Sequence, residues 1–389
     1  MSRADRRIYL DHNATSVPRP QAREAMNAAL EAPAGNPSSL HAEGRAARAV
    51  VEKARGQVAA LIGAKASEVV FTSGGSEAIA AAILGACVRA PASRRKIVIS
   101  AVEHSAVLEA ARQAGRLGFE VDLVPCDRSG RIPAGAFAAR VDGNTAIAAL
   151  QWANNETGVV QPVEEVGRAC SQAGAPFLVD AVQAAGKRRV DFAGIGASLL
   201  AVSSHKMGGP QGAGALLVRE GIPMAPLIPG GAQERRRRGG TEGVMALAGF
   251  GAAAEAARDA LDAESRTLAR LGERIERFLH ARFPGVVIHG EGVPRLPSTV
   301  NFALPGVSGE MLVIALDIAG VAVSTGSACA SGAIEPSHVI RAMGRTEEEA
   351  RGAVRVSIGW STTEAEVDEF LDLLPAIAEQ VREGIAAGS

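Results

Sequence analysis

The chain has 389 residues, of which 47% are hydrophobic, so it is long enough to form two domains with sizeable cores. Aromatic residues make up only 3% and the formal net charge is −1, which argues against a nucleic-acid or other polyanion-binding surface. No segment reads as a signal peptide or a membrane span. The four cysteines form neither a CxxC pair nor a metal or disulfide pattern. We therefore expect a cytoplasmic protein without a metal site.

The first two thirds of the chain alternates between short apolar strands and helical segments. Because strands that are apolar throughout are covered on both faces, this alternation predicts an α/β domain with a mostly parallel, seven-stranded sheet. We assign this large domain to residues 15–255. The seven strands are expected at residues 68–73, 96–100, 119–125, 145–152, 176–181, 198–204 and 212–218.

The pattern changes after the seventh strand. A long helical segment covers about residues 244–282, and shorter strands and helices follow it. The last helix begins with Thr363 and Glu366, which have the spacing of a capping box. We predict that residues 1–14 and 256–389 form a smaller α+β domain.

A lysine, Lys206, follows the sixth strand in the segment SSHKMGGP. A lysine at the end of a buried strand is unfavourable unless it is paired, neutral or covalently bound. A Schiff base with pyridoxal 5′-phosphate (PLP) would explain it. The alternative is a solvated lysine in a turn.

An aspartate, Asp180, ends the fifth strand and is expected to face the ligand crevice of the sheet. A pyridoxal ring needs a carboxylate at its pyridine nitrogen, and Asp180 would supply it. Gln183 would then hydrogen-bond the phenolic oxygen of the ring. The alternative is that Asp180 only caps a helix.

Glycine and hydroxyl residues lie between the first strand and a helix, in the segment TSGGSE. Glycines allow backbone N–H groups to approach an anion at a helix N-terminus, so Gly75 and Ser76 are candidates for binding a phosphate. Ser203 and His205 would be further phosphate donors from the lysine segment.

Three more strand ends carry polar side chains. His104 would stack on a cofactor ring and move protons, or would merely cap a helix. Asn155, in the segment NNETG, would contact a cofactor or a carboxylate, or would only form a turn. Arg355 lies among apolar residues and would bind an α-carboxylate, or would form an internal ion pair.

Two loops remain. Four arginines at residues 235–238 precede Gly-Gly-Thr241, and in a near-neutral protein we interpret them as a solvated or subunit-contacting loop rather than a nucleic-acid site. Cys329 lies among small residues in STGSACASG. It is either a reactive thiol or a small residue without a special role.

Taken together, the segments IYLDHNAT, FTSGGSEA, VEHSAV, NNETGVVQPV, VDAVQAAGK, SSHKMGGPQG, RRGGTEG and STGSACASG resemble cysteine desulfurases of the NifS/IscS type. These belong to the class V aminotransferase-like group of PLP enzymes. The resemblance implies the PLP-dependent transferase fold type I. One departure from the family pattern is that Ile79 and Ala80 replace an acid–amide pair beside the phosphate turn.

The resemblance also implies a role for each matching residue. It implies a homodimer, because the family residue that matches Thr241 reaches the phosphate in the neighbouring subunit. The other implied roles are a Schiff-base lysine (Lys206), a pyridinium partner (Asp180), a phenolate contact (Gln183), a stacking histidine (His104), phosphate contacts (Gly75, Ser76, Ser203, His205), substrate-carboxylate contacts (Asn155, Arg355) and a nucleophile (Cys329).

The implied activity is the conversion of L-cysteine to L-alanine. The sulfur would be captured as a persulfide on Cys329 and passed to a sulfur-acceptor protein for iron–sulfur cluster assembly or thio-cofactor synthesis. Three alternatives stay open, which are a class V aminotransferase, a selenocysteine lyase, and a non-catalytic partner of a sulfur-transfer protein.

Overall fold

The computed structural model of the protein describes residues 7–325 and 336–388. The strands are β1 (Ile8–Tyr9), β2 (Val69–Thr72), β3 (Lys96–Ser100), β4 (Glu120–Val124), β5 (Thr145–Gln151), β6 (Phe177–Asp180), β7 (Leu199–Ser203), β8 (Gly214–Val218), β9 (Val287–Ile288), β10 (Thr299–Ala303), β11 (Val321–Ala322), β12 (Ser324–Thr325) and β13 (Ala353–Ser357). The α-helices are α1 (Pro20–Glu31), α2 (Ala42–Ile62), α3 (Gly75–Arg89), α4 (Ser105–Arg116), α5 (Ala134–Ala138), α6 (Val163–Gln172), α7 (Val244–Arg282), α8 (Gly309–Ile318), α9 (His338–Ala342), α10 (Glu347–Gly352) and α11 (Glu364–Gly388).

The central sheet has seven strands in the order β2-β8-β7-β6-β5-β3-β4. Only β8 runs antiparallel to its neighbours, while the pairs from β7 to β4 are parallel. Each strand overlaps one of the seven that the sequence predicts. The expectation of a mostly parallel, seven-stranded sheet is confirmed.

Helices cover both faces of this sheet. In β3, Val98 packs into a cluster that includes residues of α2, α6 and α7. Its neighbours Ile97 and Ile99 point the other way, into a cluster with residues of α3 and α4. Because side chains alternate along a strand, burial of both sets explains why these strands are apolar throughout.

The carboxyl ends of the parallel strands meet at one edge of the sheet. The strands β3, β5, β6 and β7 end at Ser100, Gln151, Asp180 and Ser203, and each is followed by a loop with a predicted site residue. The turn after β2 reaches the same edge, because β2 and β7 are both antiparallel to β8. This edge is where an open α/β sheet binds ligands.

A second, antiparallel sheet has the order β12-β13-β10-β9. Its apolar side chains, such as Phe302 and Val354, form a separate cluster with residues of α7, α8 and α11. The segment VAVST, residues 321–325, resembles one short strand in sequence but is divided between two sheets. Its first half, β11, pairs with β1 in parallel, whereas its second half, β12, pairs with β13.

The long helix α7 contributes to both regions. Phe250, near its start, packs into the cluster against the central sheet, and Ile275 packs into the cluster of the second sheet. The predicted domain boundaries near residues 15 and 255 stay predictions. The capping box of α11 is confirmed, since Glu366 N donates to Thr363 Oγ1 at 3.2 Å and Thr363 N donates to Glu366 Oε2 at 2.8 Å.

Two further findings concern the described residues only. None of their helices is both long enough and apolar enough to cross a membrane. Nor do their His, Cys, Asp and Glu side chains gather in any group of three or more that could hold a metal ion.

Candidate active site

A cavity of about 390 Å³ lies at the carboxyl edge of the central sheet. Its volume is in the range of sites that bind small molecules. Thr241 is exposed and does not line the cavity, and Cys329 lies outside the described residues. The predicted site residues that line it are Gly75, Ser76, His104, Asn155, Asp180, Gln183, Ser203, His205, Lys206 and Arg355.

Lys206 reaches the cavity from a short 3₁₀ turn that follows β7. Its Nζ donates to the backbone oxygens of Asn13 at 2.6 Å and Ala14 at 2.8 Å. These contacts hold the amine beside the N-terminal segment and direct it into the cavity. The placement disfavours the alternative of a solvated lysine in a turn.

Asp180 lies at the end of β6 and is 6% exposed. Its Oδ1 accepts a hydrogen bond from Val182 N at 2.9 Å. Burial raises the pKa of Asp180, and the positive charges of protonated His104 and Lys206 oppose that rise. A buried carboxyl group of this kind is stabilised in its ionised form by a cation bound next to it.

Both the NH₂ group and the oxygen of the Gln183 side-chain amide form hydrogen bonds. Its Nε2 donates to the backbone oxygen of Asn13 at 3.0 Å, and its Oε1 accepts from Lys187 Nζ at 2.7 Å. Lys187 Nζ also donates to Asn13 Oδ1 at 2.7 Å. Burial, together with the positive charges of Lys206 and Arg355, lowers the pKa of Lys187 to about 7.

Asn13 therefore lines the cavity and Lys187 lies directly behind it and Gln183, although local sequence patterns predict a role for neither. Lys187 follows Gln183 by four residues, and that spacing is the signal that could have drawn attention to it. Asn13 had no local signal, because its partners lie more than a hundred residues away in the chain.

The start of α3 forms the turn predicted to bind phosphate. A Cβ atom on Gly75 would lie only 2.8 Å from Val182 Cγ2, so this position accepts little more than glycine. The first residues of the helix, Gly75 and Ser76, line the cavity together with Ser203 and His205, and a Cβ on Gly75 would lie 3.5 Å from Ser203 Cβ. A helix N-terminus beside hydroxyl and imidazole groups is suited to an anion. Ile79, where the family pattern has a polar residue, also lines the cavity.

His104 both caps a helix and lines the cavity, two roles that were expected to be alternatives. It is the N-cap of α4, where its Nδ1 accepts a hydrogen bond from Ala106 N at 3.1 Å, and its ring also lines the cavity. Because Nδ1 accepts, the proton of the neutral ring is on Nε2. Burial lowers the pKa of His104 despite the opposing charge of Asp180, which favours this neutral form.

Arg355 lies on β13 and is 3% exposed. Its Nη2 donates to Asp11 Oδ1 at 2.7 Å, and its Nη1 donates to the backbone oxygen of Asn155 at 3.1 Å. The internal ion pair that the sequence left as an alternative is therefore present. The guanidinium still lines the cavity, and among the described residues its buried Nε has no partner.

The two asparagines in the turn after β5, Asn154 and Asn155, have different roles. Asn154 Oδ1 accepts the backbone N–H groups of Glu156 and Thr157, both at 2.9 Å, and so forms the turn itself. Asn155 is the residue that lines the cavity.

Arg238, the last of the four consecutive arginines, contacts the phosphate turn indirectly. Its Nε donates to Glu77 Oε1 at 3.0 Å, and Glu77 Oε2 accepts from Ser73 N at 2.8 Å. Arg235 and Arg236 are exposed, in agreement with the expected solvated loop.

Comparison with known proteins identifies the family. The profile of the Aminotransferase class-V family matches residues 8–370. A protein of Cereibacter sphaeroides named "Cysteine desulfurase" is 46% identical over 378 residues, which cover 97% of each chain. This result confirms the resemblance inferred from the sequence.

Solved structures with the same fold support this result. A structure titled "NIFS-LIKE PROTEIN" is 33% identical with a TM-score of 0.90, covering 96% of this chain and all (100%) of the other. Another, titled "SspA in complex with cysteine", is 30% identical with a TM-score of 0.80, covering 90% of this chain and 98% of the other. The expected fold class is confirmed. The chain belongs to the Aminotransferase class-V family.

Proposed function

We propose that the protein is a PLP-dependent cysteine desulfurase, which converts L-cysteine to L-alanine and transfers the sulfur to an acceptor. One observation carries the proposal: a single cavity contains Lys206, Asp180 and Arg355, in a chain that is 46% identical to a protein named cysteine desulfurase. An amine, a buried carboxyl group and a guanidinium are the groups that PLP chemistry on an amino acid requires.

The chemical groups in the cavity fit PLP. Lys206 would bond to the aldehyde, Asp180 would hold the protonated pyridine nitrogen, and Gln183 would donate to the phenolic oxygen. The phosphate would be held by the turn at the start of α3, where Gly75 packs tightly against Val182, together with Ser76, Ser203 and His205. When bound, PLP would withdraw electrons from the substrate carbon next to the amino nitrogen.

Two residues would act directly on the substrate. The guanidinium of Arg355, with its buried Nε, would bind the α-carboxylate of L-cysteine, and Asn155 would contact the same group. Lys206 Nζ would take the proton from the substrate Cα. Its position between two backbone carbonyl oxygens gives the amine a fixed direction for that transfer.

The ring of His104 would stack on the cofactor and hold or deliver a proton through Nε2. Its Nδ1 is already bonded to Ala106 N, so the opposite nitrogen is the one available for proton transfer. Burial favours the neutral ring, whose Nε2 proton is the one available for donation.

Cys329 would be the nucleophile that receives the sulfur. Its thiolate would form an S–S bond to the substrate sulfur while the substrate C–S bond breaks. The electron pair of the broken bond would stay on carbon and take up a proton, which gives L-alanine and a persulfide on Cys329.

The other three cysteines are poorly suited to this step. Burial raises the pKa of Cys87 and Cys170 to about 12 and that of Cys126 to about 11, and the negative charge of Asp127 adds to the rise at Cys126. A thiol with a raised pKa is a weak nucleophile at neutral pH because little thiolate is present.

The proposal includes a homodimer with a site that both subunits complete. Thr241 is exposed and outside its own cavity, so its contact with phosphate would be made in the neighbouring subunit. We expect light scattering to give twice the mass of the chain, and Thr241→Ala to weaken PLP binding. The sulfur acceptor would be a protein of iron–sulfur or thio-cofactor synthesis, and the location would be cytoplasmic.

The test is the formation of alanine from L-cysteine by the purified, PLP-loaded protein in the presence of a reducing agent. The wild type is compared with Cys329→Ala and with Cys126→Ala as a matched control. We expect alanine from the wild type and from Cys126→Ala, and almost none from Cys329→Ala.

Two outcomes would contradict parts of this proposal. Equal activity of Cys329→Ala and the wild type would remove Cys329 from the mechanism. No alanine from the PLP-loaded wild type would rule out a desulfurase, and formation of a keto acid in the same assay would indicate an aminotransferase.

A further inference from the structure

The second lysine of the cavity region, Lys187, is not explained by the chemistry proposed above. It lies on the turn after β6, and its Nζ contacts Asn13 Oδ1 and Gln183 Oε1, each at 2.7 Å. No carboxylate among the described residues lies within ion-pair distance of it. A lysine is costly to bury, so a purpose for this one is expected.

The amine of Lys187 determines which way two side-chain amides face. Its Nζ donates to both amides, and a lysine amine keeps at least two N–H groups whether or not it is protonated, so both amides present their oxygens to it. The NH₂ group of Gln183 is then turned away, where it donates one N–H to the backbone oxygen of Asn13 at 3.0 Å. Its second N–H makes no hydrogen bond within the described part of the chain and is left for a ligand of the cavity that Gln183 lines.

The contact with Lys187 Nζ also fixes the orientation of the Asn13 side-chain amide. With its oxygen bound to Lys187, Asn13 donates through Nδ2 to Thr299 Oγ1 at 2.9 Å and to the backbone oxygen of Asn155 at 3.1 Å. The backbone oxygen of Asn155 also accepts from Arg355 Nη1. Asn13 thus connects Lys187 to the guanidinium that we place at the substrate carboxylate.

We propose that Lys187 is a positioning residue that orients the amide of Gln183, so that an N–H group rather than the oxygen faces the phenolic oxygen of the cofactor. This inference rests on the proposed PLP-dependent function. A flipped amide would place two oxygens against each other and would lose the hydrogen bond to the cofactor. Lys187 itself would not touch the cofactor.

The test uses pyridoxamine 5′-phosphate, which has the phenolic oxygen and the phosphate of PLP but no aldehyde to bond with Lys206. Its binding to the full-length protein freed of PLP is measured by calorimetry for the wild type, Lys187→Met, Gln183→Ala and the double variant. Lys187→Arg is the conservative variant. Lys96→Met is the control, because Lys96 is also a partly buried lysine of the central sheet but lies at its opposite edge.

We expect Lys187→Met and Gln183→Ala each to weaken binding about tenfold, the loss of about one hydrogen bond. The double variant should bind no more weakly than Gln183→Ala, because Lys187 acts through that amide. Lys187→Arg should recover part of the loss, and Lys96→Met should bind as the wild type does. Unchanged binding by Lys187→Met, or losses that multiply in the double variant, would overturn the proposal.

A second variant covers the case in which Lys187→Met does not fold. Gln183→Glu keeps an oxygen for Lys187 but has no N–H to donate. We expect it to melt no lower than Gln183→Ala and to bind pyridoxamine 5′-phosphate about tenfold more weakly than the wild type does. Binding equal to the wild type would overturn the orientation assigned to Gln183. If the wild type binds neither this compound nor PLP, the proposed PLP-dependent function fails. If the wild type binds PLP but the variants bind as the wild type does, only the role proposed for Lys187 and Gln183 fails.

Discussion

Two cations of this protein, the buried Arg55 and the partly buried Lys187, are held in opposite ways. The guanidinium of Arg55, with its side chain 2% exposed, forms two parallel hydrogen bonds to Glu234, at 2.7 and 2.8 Å. The amine of Lys187 contacts two amide oxygens instead. Burial by itself would lower the pKa of both, but the bonds and charge of Glu234 raise the pKa of Arg55 overall, whereas that of Lys187 falls to about 7.

The difference indicates what each cation does. Glu234 also accepts from the backbone N–H of Phe71, and Arg55 donates to the backbone oxygen of Val69, so the pair ties α2 and β2 to the loop before the arginine run. Its charges are satisfied within the fold. Lys187 instead donates to two neutral amide oxygens, which do not compensate a buried charge, in keeping with the positioning role proposed for it above.

The largest expected effect is a loss of enzymatic activity when Lys206 of the cavity is replaced. Lys206→Ala should lower alanine formation from L-cysteine by at least about a thousandfold, because it would remove both the proposed covalent anchor and the proposed proton acceptor. The free energy of unfolding of the PLP-free protein should change little, since the side chain is only partly buried. Alanine is measured by chromatography and stability by urea unfolding. Retained activity would show that the lysine of this cavity is not the catalytic amine.

The next effect is on stability and concerns the ion pair. Arg55→Met should lower the free energy of unfolding by about 3–5 kcal/mol, because it leaves Glu234 buried without its partner. Urea unfolding measures the change. The matched variant, Arg55→Met with Glu234→Gln, should recover most of the loss. If the double variant is no more stable than the single one, the unpaired charge is not the cause.

A third effect is expected in the pH dependence of stability. The pKa of Lys187 is about 7 in the folded protein and about 10.4 in an unfolded chain, so unfolding takes up a proton between these values. The free energy of unfolding of the PLP-free protein should therefore rise with pH over this interval, and the rise should be smaller in Lys187→Met. Parallel pH profiles for the two proteins would mean that Lys187 is charged in the fold.

The smallest effect on stability is expected for an exposed ion pair which, like Arg55 and Glu234, joins an arginine to a carboxylate. Arg189 and Asp262 form an ion pair at 2.8 Å with side chains 81% and 62% exposed. Arg189→Gln should leave the urea-unfolding midpoint within experimental error, because solvent screens such pairs. A loss comparable to that of Arg55→Met would contradict the view that burial distinguishes the two pairs.

Much of the fold follows from local sequence patterns. β3, β6 and β7 are continuous apolar runs, and each is followed by a polar residue that reaches the cavity, so both the sheet and the candidates Asp180 and Lys206 could be predicted. The segment VAVST could not be divided correctly, since its two halves differ only in which distant strand they pair with.

The parts of the site that were missed depend on long-range contacts. Asn13 bonds to Gln183 and to Thr299, which are 170 and 286 residues away, and no periodic pattern encodes such contacts. Arg55 and Glu234 are 179 residues apart for the same reason. His104 and Arg355 were predicted as candidates, but only the structure shows that each also makes the structural contact offered as its alternative.

The most direct test determines which lysine forms a covalent bond with the cofactor. The PLP-loaded protein is reduced with borohydride, which fixes the covalent bond, and is then digested and analysed by peptide mass spectrometry. The account predicts a pyridoxyl group on Lys206 and none on Lys187. A label on Lys187, or no label on either lysine, would contradict the assignment of this cavity as the catalytic site.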